Sequence, residues 1–232
     1  MRNVLDEKPT ADLNGRLSFS VGFVDPSDLF DKTVLDIGCG FGWFELNALS
    51  RGVKEIIGTE ISEIDLRPIN RYLQDPKLVT KVASAIDLPF PEHSFDTVVS
   101  WEVIEHIPQA SETIMFSEVA RVLKPGGQFY LSTPNASPIS TLADPAWWLI
   151  KHRHYAPDTL LQLAKAAGLV VASLEVKGGA WEIAFTWNLY FSKWILRRRP
   201  IAEKAFLTRV NREYGVRGFN DLFIKMTKSP SP

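Results

Sequence analysis

The side chains best able to move protons or hold a metal ion fall in two short runs, Trp101-Glu-Val-Ile-Glu-His106 and His152-Arg-His-Tyr155. If residues 102–106 open a helix, Glu102, Glu105 and His106 share one face at spacings of three and four. Two carboxylates and an imidazole so placed could bind Mg²⁺, Mn²⁺ or Zn²⁺. The same carboxylates are also favoured at a helix start by the backbone dipole alone. A neutral His106 or His154 is suited to removing a proton near pH 7, and a hydroxyl nucleophile needs a base or a metal ion for that. His93, in Pro-Glu-His-Ser, reads as an exposed turn residue.

A different chemistry is written in Val34-Leu-Asp-Ile-Gly-Cys-Gly-Phe-Gly42. Glycine allows a tight turn and a close approach to a ligand, and a following helix would offer backbone N–H donors. The spacing is G-x-G-x-G, and Asp36 precedes it. An acid there suits a cationic ligand, such as an ammonium, better than a phosphate. Glu60 ends the next strand, roughly 20 residues after the loop, where an acid typically takes ribose hydroxyls.

The elements that hold these residues are legible in outline. Apolar runs bounded by glycine or polar residues predict strands at 33–37, 55–60, 79–83, 95–100, 128–132, 170–176 and 221–227. Helices are expected at 43–51, 62–75, 110–123 and 158–167, the third from Ile114, Val119, Val122 and Leu123, with a stop at Lys124-Pro-Gly-Gly127. Alternating strands and helices imply an α/β fold, a Rossmann-like seven-stranded, mostly parallel sheet with helices on both faces. Ligands of such sheets sit at the carboxyl ends of the strands, where the strand order reverses. The chain reads as one domain over 1–232, with a leading helix or cap at 1–31 and an aromatic helical insertion at about 178–215.

From Val34 to Ser132 the chain resembles a class I S-adenosylmethionine-dependent methyltransferase of the subgroup with a Leu-Pro-Phe motif. The resemblance rests on an ordered set: the glycine loop, Glu60, Asp87-Leu-Pro-Phe-Pro91, Phe95-Asp96, Glu105-His106 and Leu123-Lys-Pro-Gly-Gly127. It implies S-adenosylmethionine as cofactor and S-adenosylhomocysteine as product. It places Gly38, Cys39 and Gly40 at the amino-acid end of the cofactor, Glu60 at the ribose and Ile61 on the adenine; Asp36 is the acid whose charge suits the ammonium of the methionine moiety. Ser84, Ala85 and Ile86 would flank the other side of the adenine, and Trp101 would lie near the methionine portion. Many relatives carry aspartate where this chain has Ser84; the hydroxyl can still accept a hydrogen bond. The Glu-x-x-Glu-His pattern is similar to two groups associated with a metal there. One is the ubiquinone-biosynthesis O-methyltransferases; the other methylates the 3′-terminal 2′-hydroxyl of small RNAs. A divalent metal is therefore an open option for Glu102, Glu105 and His106.

Composition narrows the partners. The 232 residues carry a formal net charge of -1, so no global basic field draws the chain to nucleic acid. The single cysteine, Cys39, excludes an internal disulfide and points to a reducing cytoplasm. The N-terminus lacks the apolar run of a signal peptide, and no stretch is long and apolar enough to span a membrane. Residues 181–199 are the unusual part. Ile183, Trp187, Tyr190 and Trp194 recur at spacings of 4, 3 and 4, three arginines follow, and Trp147-Trp148-Leu-Ile150 adds a second apolar group. Such a stripe suits burial in the core or a homodimer, a lid over a hydrophobic acceptor, or peripheral contact with a membrane. The expected acceptor is small, apolar or lipid-linked, and methylated on oxygen. The alternatives are an RNA 2′-O-methyltransferase and a cofactor-binding module without catalysis. Near-neutral charge disfavours the first, and the intact loop with Glu60 disfavours the second.

Overall fold

The computed structural model describes residues 8–144, 147 and 152–229; of the expected second aromatic group, Trp148, Leu149 and Ile150 lie outside these residues. Seven strands form one sheet in the order β3-β2-β1-β4-β5-β7-β6. They are β1 (Thr33–Ile37), β2 (Glu55–Glu60), β3 (Leu78–Val82), β4 (Phe95–Trp101), β5 (Leu123–Pro134), β6 (Leu169–Lys177) and β7 (Asp221–Lys228). β1 to β5 pair in parallel, while β7 is antiparallel to both neighbours. β6 therefore runs with β1 to β5 and ends at the same edge. β7 starts from that edge, with Asp221 paired to Lys177.

The period of two along the strands builds both layers of the core. Leu35, Val98, Phe129, Leu131, Leu222 and Ile224 face one side, under α4 (Glu112–Val122) and α6 (Pro157–Ala166). Their strand neighbours Val34, Val99, Tyr130 and Phe223 face the other, under α1 (Gly15–Phe23), α2 (Trp43–Ser50) and α8 (Glu203–Tyr214). α4 buries Met115, Phe116, Val119 and Val122, whereas Ile114, expected on the apolar face, is exposed.

Three expectations change. The helix anticipated at 62–75 is confined to α3 (Arg67–Tyr72), because residues 62–66 form turns held by Ser62, whose carbonyl accepts from Asp65 and Leu66 N–H. Residues 102–106 form a turn rather than a helix. Glu102 has φ +58°, which breaks helical geometry at its first residue. The aromatic helix, α7 (Ala180–Trp194), ends before the arginines, and a second helix, α8, follows it. A short α5 (Pro138–Ala143) leads away from β5.

Candidate active site

The order of strands reverses between β1 and β4, and the loops after both frame a cavity of about 440 Å³. Gly38 holds φ +81° there, and a Cβ on it would come within 2.4 Å of Val103 Cγ2, so only glycine lets the loop pass the segment after β4. Gly42, at φ +86°, meets Ile69 in the same way where α2 begins.

Four N–H groups of the loop already have partners. Gly38 and Cys39 N–H donate to Thr59 O at 2.9 and 3.0 Å, and Gly42 N–H donates to Cys39 O. Gly40 N–H donates to Glu60 Oε1 at 2.7 Å. Beneath the loop lies a second acid, Glu45, which is fully buried beside Asp36. Burial, and then the charge of Glu45, push the Asp36 carboxyl well above its usual range. Burial pushes Glu45 up to about 8 and raises Glu60 as well. Of the three carboxyl groups around the loop, Glu60 is the one on the cavity wall, and Asp36 and Glu45 are buried beneath it.

Of the residues expected at the cofactor, Gly38, Glu60, Ile61, Ser84, Ala85 and Trp101 line this cavity, with Glu102, Val103 and His106. Asp36 and Cys39 are buried below the loop, Cys39 against Leu66 and Ile69. Burial also raises the Cys39 thiol far above its ordinary value, so it is an inert packing group. Gly40 reaches the cavity only through its bond to Glu60. Ile86 packs against the core, behind the Ser84 hydroxyl that accepts its N–H at 3.4 Å.

Glu102, Glu105 and His106 point three ways. Glu102 accepts from Arg16 Nη1 and from Ser132 Oγ, each at 2.7 Å. Burial raises its pKa, while Arg16 opposes the rise. Glu105 is buried; Thr133 Oγ1 donates to one oxygen at 3.0 Å, and the other, Oε1, has no hydrogen-bond partner. Burial, then the charge of Glu102, holds its pKa well above the carboxylate range. His106 is exposed at the cavity wall and stacks on His152 with ring centroids 4.9 Å apart. Burial of part of the ring, then His152 and Arg153, lower its pKa, which keeps the imidazole neutral at neutral pH. Among the described residues, ligand atoms of Glu105, His106 and His152 come within 4.8 Å of one another, while Glu102 stands outside that group. His154 is held at both nitrogens, by Asn135 O at 3.1 Å and Asp144 Oδ2 at 3.0 Å.

A second, polar cavity of about 170 Å³ has its own set of lining residues. Arg16, Asp144, His152, His154, Glu182 and Asp221 are on its walls. Its contacts to the first cavity are the Arg16–Glu102 ion pair and the His106–His152 stack. The sequence reading missed Arg16, Arg153, Asp144, Glu182 and Asp221. Arg153 clamps the turn after β4, donating to Glu105 O at 3.1 Å and Ile104 O at 2.8 Å; its place between two histidines was the available signal.

The sheet order, the crevice at its switch point and the acid-framed glycine loop define an α/β enzyme of the class that binds a cationic nucleoside cofactor. Residues 16–174 match the family described as methyltransferase domain, and the chain belongs to that family, within the class I S-adenosylmethionine-dependent methyltransferases. It is 31% identical over 141 residues to a probable S-adenosylmethionine-dependent methyltransferase of Mycolicibacterium smegmatis, covering 60% of this chain and 52% of that one. It is 30% identical over 177 residues to a ubiquinone biosynthesis O-methyltransferase of Idiomarina loihiensis, covering 70% and 71%. The chain thus spans about half the length of the first of these relatives. A crystal structure of an S-adenosylmethionine-dependent methyltransferase from Mesorhizobium loti superposes with a TM-score of 0.64 at 19% identity, over 90% of this chain and 95% of that one. At that identity the likeness concerns the fold. No helix among the described residues is long and apolar enough to cross a membrane.

Proposed function

We propose that the protein methylates a hydroxyl oxygen on an amphiphilic, lipid-linked acceptor. The observation that carries this reading is that the walls of the two cavities touch, through Arg16–Glu102 and His106–His152. One is framed by acids and suits the cofactor; the other is polar inside and opens beside exposed apolar side chains. Ile183, Thr186 and Tyr190 of α7 line the polar cavity. Trp187 Nε1 donates to Ala143 O at 2.8 Å and ties α7 to α5. Outside it, Ile139, Leu142, Trp187, Phe191, Trp194, Ile195 and Leu196 are all exposed. A polar head would enter among the histidines and acids while an apolar tail lies along α5 and α7. Arg197, Arg198 and Arg199 follow directly, and aromatic groups beside arginines suit an anionic bilayer surface. Acids on the cavity walls would repel an RNA backbone.

In this reading Glu60 holds the ribose hydroxyls, Ile61, Ser84 and Ala85 enclose the adenine, and Trp101 closes the methionine end. Asp36 acts from below, sharing charge with Glu45 rather than touching the ligand. S-adenosylmethionine supplies an activated methyl group, so the chain's task is mainly to position the acceptor in line. His106, neutral and on the cofactor cavity, takes the acceptor proton. His154, fixed at both nitrogens, orients the cavity wall. The test is transfer of labelled methyl from S-adenosylmethionine to fractionated extracts. Label is expected in the lipid fraction, on an ether oxygen. Label confined to RNA or to water-soluble fractions refutes the reading.

A further inference from the structure

The second histidine cluster has a geometry that the methyl-transfer reading does not use. Asp144 directly follows α5, and His152 and His154 precede Tyr155, which bridges to Asn135 beyond β5. Both imidazoles converge on one carboxylate oxygen. His152 Nδ1 lies 2.9 Å and His154 Nε2 3.0 Å from Asp144 Oδ2. The two rings are nearly perpendicular, at 87°, so their nitrogens approach that oxygen from different directions. Nitrogen and oxygen ligands about 2.0–2.1 Å from a tetrahedral ion stand roughly 3.3 Å apart. Two of the separations need only a few tenths of an ångström of expansion.

The hydrogen positions point the same way. Asn135 O can only accept, and His154 Nδ1 lies 3.1 Å from it, so Nδ1 carries the hydrogen. Nε2 is the nitrogen left to face the Asp144 carboxylate. An imidazole that donates its other N–H to a backbone carbonyl is the usual support of a metal-binding histidine. Asp144, Glu182 and Asp221 line the cavity with Arg16 the one guanidinium among its lining residues. The buried, unpartnered Glu105 Oε1 faces His152 Nε2 at 3.8 Å.

We propose that Asp144, His152 and His154 bind one divalent transition-metal ion, with its open positions turned to the acceptor cavity. Two imidazoles and one carboxylate select Zn²⁺, Co²⁺, Mn²⁺ or Fe²⁺ over Mg²⁺ or Ca²⁺. This ligand set is separate from Glu102, which is spent on Arg16 and Ser132. Its consequence for catalysis rests on the reading above: an acceptor hydroxyl at an open position would lose its proton more readily. Binding itself does not depend on that reading.

The test uses the full chain, stripped with chelator and titrated with Co²⁺ followed by its visible d–d absorption, then with Zn²⁺ in competition. One equivalent is expected to bind, with affinity reduced at least thirtyfold by Asp144→Asn and by His154→Ala, and changed less than threefold by Glu102→Gln. Melting temperature confirms that each variant is folded, with S-adenosylhomocysteine binding as a second check for Asp144→Asn and His154→Ala. Because no acceptor is used, the outcome is independent of the acceptor's identity. Failure of the folded protein to take up Co²⁺ or Zn²⁺ overturns the proposal. So does uptake that survives Asp144→Asn but is lost in His106→Ala, which would assign the ion to the turn after β4; loss in folded Asp144→Asn with retention in Glu102→Gln upholds it.

Discussion

Glu45 and Asp36 place two carboxyl groups with almost no solvent contact under the cofactor loop. The folded chain therefore favours their protonated forms. A raised folded pKa gives stability that is complete below the unfolded value, 4.5 for Glu45, and is lost as pH rises through about 8. The full displacement corresponds to at most about 5 kcal/mol, and relaxation around a coupled pair reduces it to roughly 2–4 kcal/mol. Glu45→Gln keeps the shape, cannot ionise and offers Asp36 an N–H donor. It should leave stability near pH 5 almost unchanged and remove much of the decline above it. For a chain of this length each kcal/mol is worth about 2–4 °C, so the variant should melt roughly 5–15 °C above the parent at pH 8.5. Scanning calorimetry at pH 5, 7 and 8.5 reads this directly. Parallel pH profiles for parent and variant would refute the reasoning, because the carboxyl would then ionise without penalty.

Glu60→Ala should weaken S-adenosylhomocysteine binding by about 1.5–3 kcal/mol, the scale of a hydrogen bond to a charged group; unchanged calorimetric affinity would move the ribose contact elsewhere. His106→Ala should lower kcat by roughly 10²–10⁴. In the parent, the neutral ring does the work, so kcat/KM should fall only as pH drops below 6.5 through the lowered pKa; an acid limb that persists in the variant would exclude His106 as base. Trp187→Ser with Trp194→Ser removes two exposed indoles. It should reduce partition onto phosphatidylglycerol vesicles at least tenfold while cofactor affinity stays within threefold. A parent that ignores such vesicles and instead dimerises by light scattering would assign the face to a second copy.

What the sequence shows about this protein depends on how local each signal is. β1 and β2 are legible to the residue because each is a short apolar run, β1 ended by a glycine whose geometry is forced. The acid at the end of β2 is legible for the same reason. The turn after β4 was misread because Glu102, Glu105 and His106, at spacings of three and four, indicate a helical face only on a helical backbone. The positive φ of Glu102 has no signature in side-chain type, although Pro108 soon after limits how far a helix could run. Arg16 could not be assigned at all: its partners Glu102 and Asp221 are 86 and 205 residues away, and nothing local distinguishes it from a surface arginine. α8 had a signal that went unused, the fourfold spacing of Phe206, Val210 and Tyr214, which meet Trp181, Phe185 and Phe19.

These distant contacts bear on how the two halves of the site are divided. The family match ends at residue 174, before α7, α8 and β7, so the cofactor side lies within it and much of the polar cavity does not. One network joins the two. Arg16 on α1 pairs with Glu102 at 2.7 Å and lies 3.6 Å from Asp221. The Tyr214 hydroxyl of α8 lies 2.6 Å from a Glu182 oxygen of α7 and 2.7 Å from an Asp221 oxygen of β7, and its one hydrogen serves one of them. Burial, then Asp221, raises the Glu182 pKa well above the carboxylate range, so the cluster holds fewer negative charges than carboxyl groups, and Arg16 offsets those that remain. Taking one partner from a buried ion pair costs more than the pair contributes, because it leaves an uncompensated charge. Changes that alter the polar cavity while keeping this cluster intact can therefore spare the first cavity. Changes to Arg16 or Asp221 cannot, since Glu102 stands on the cofactor cavity itself.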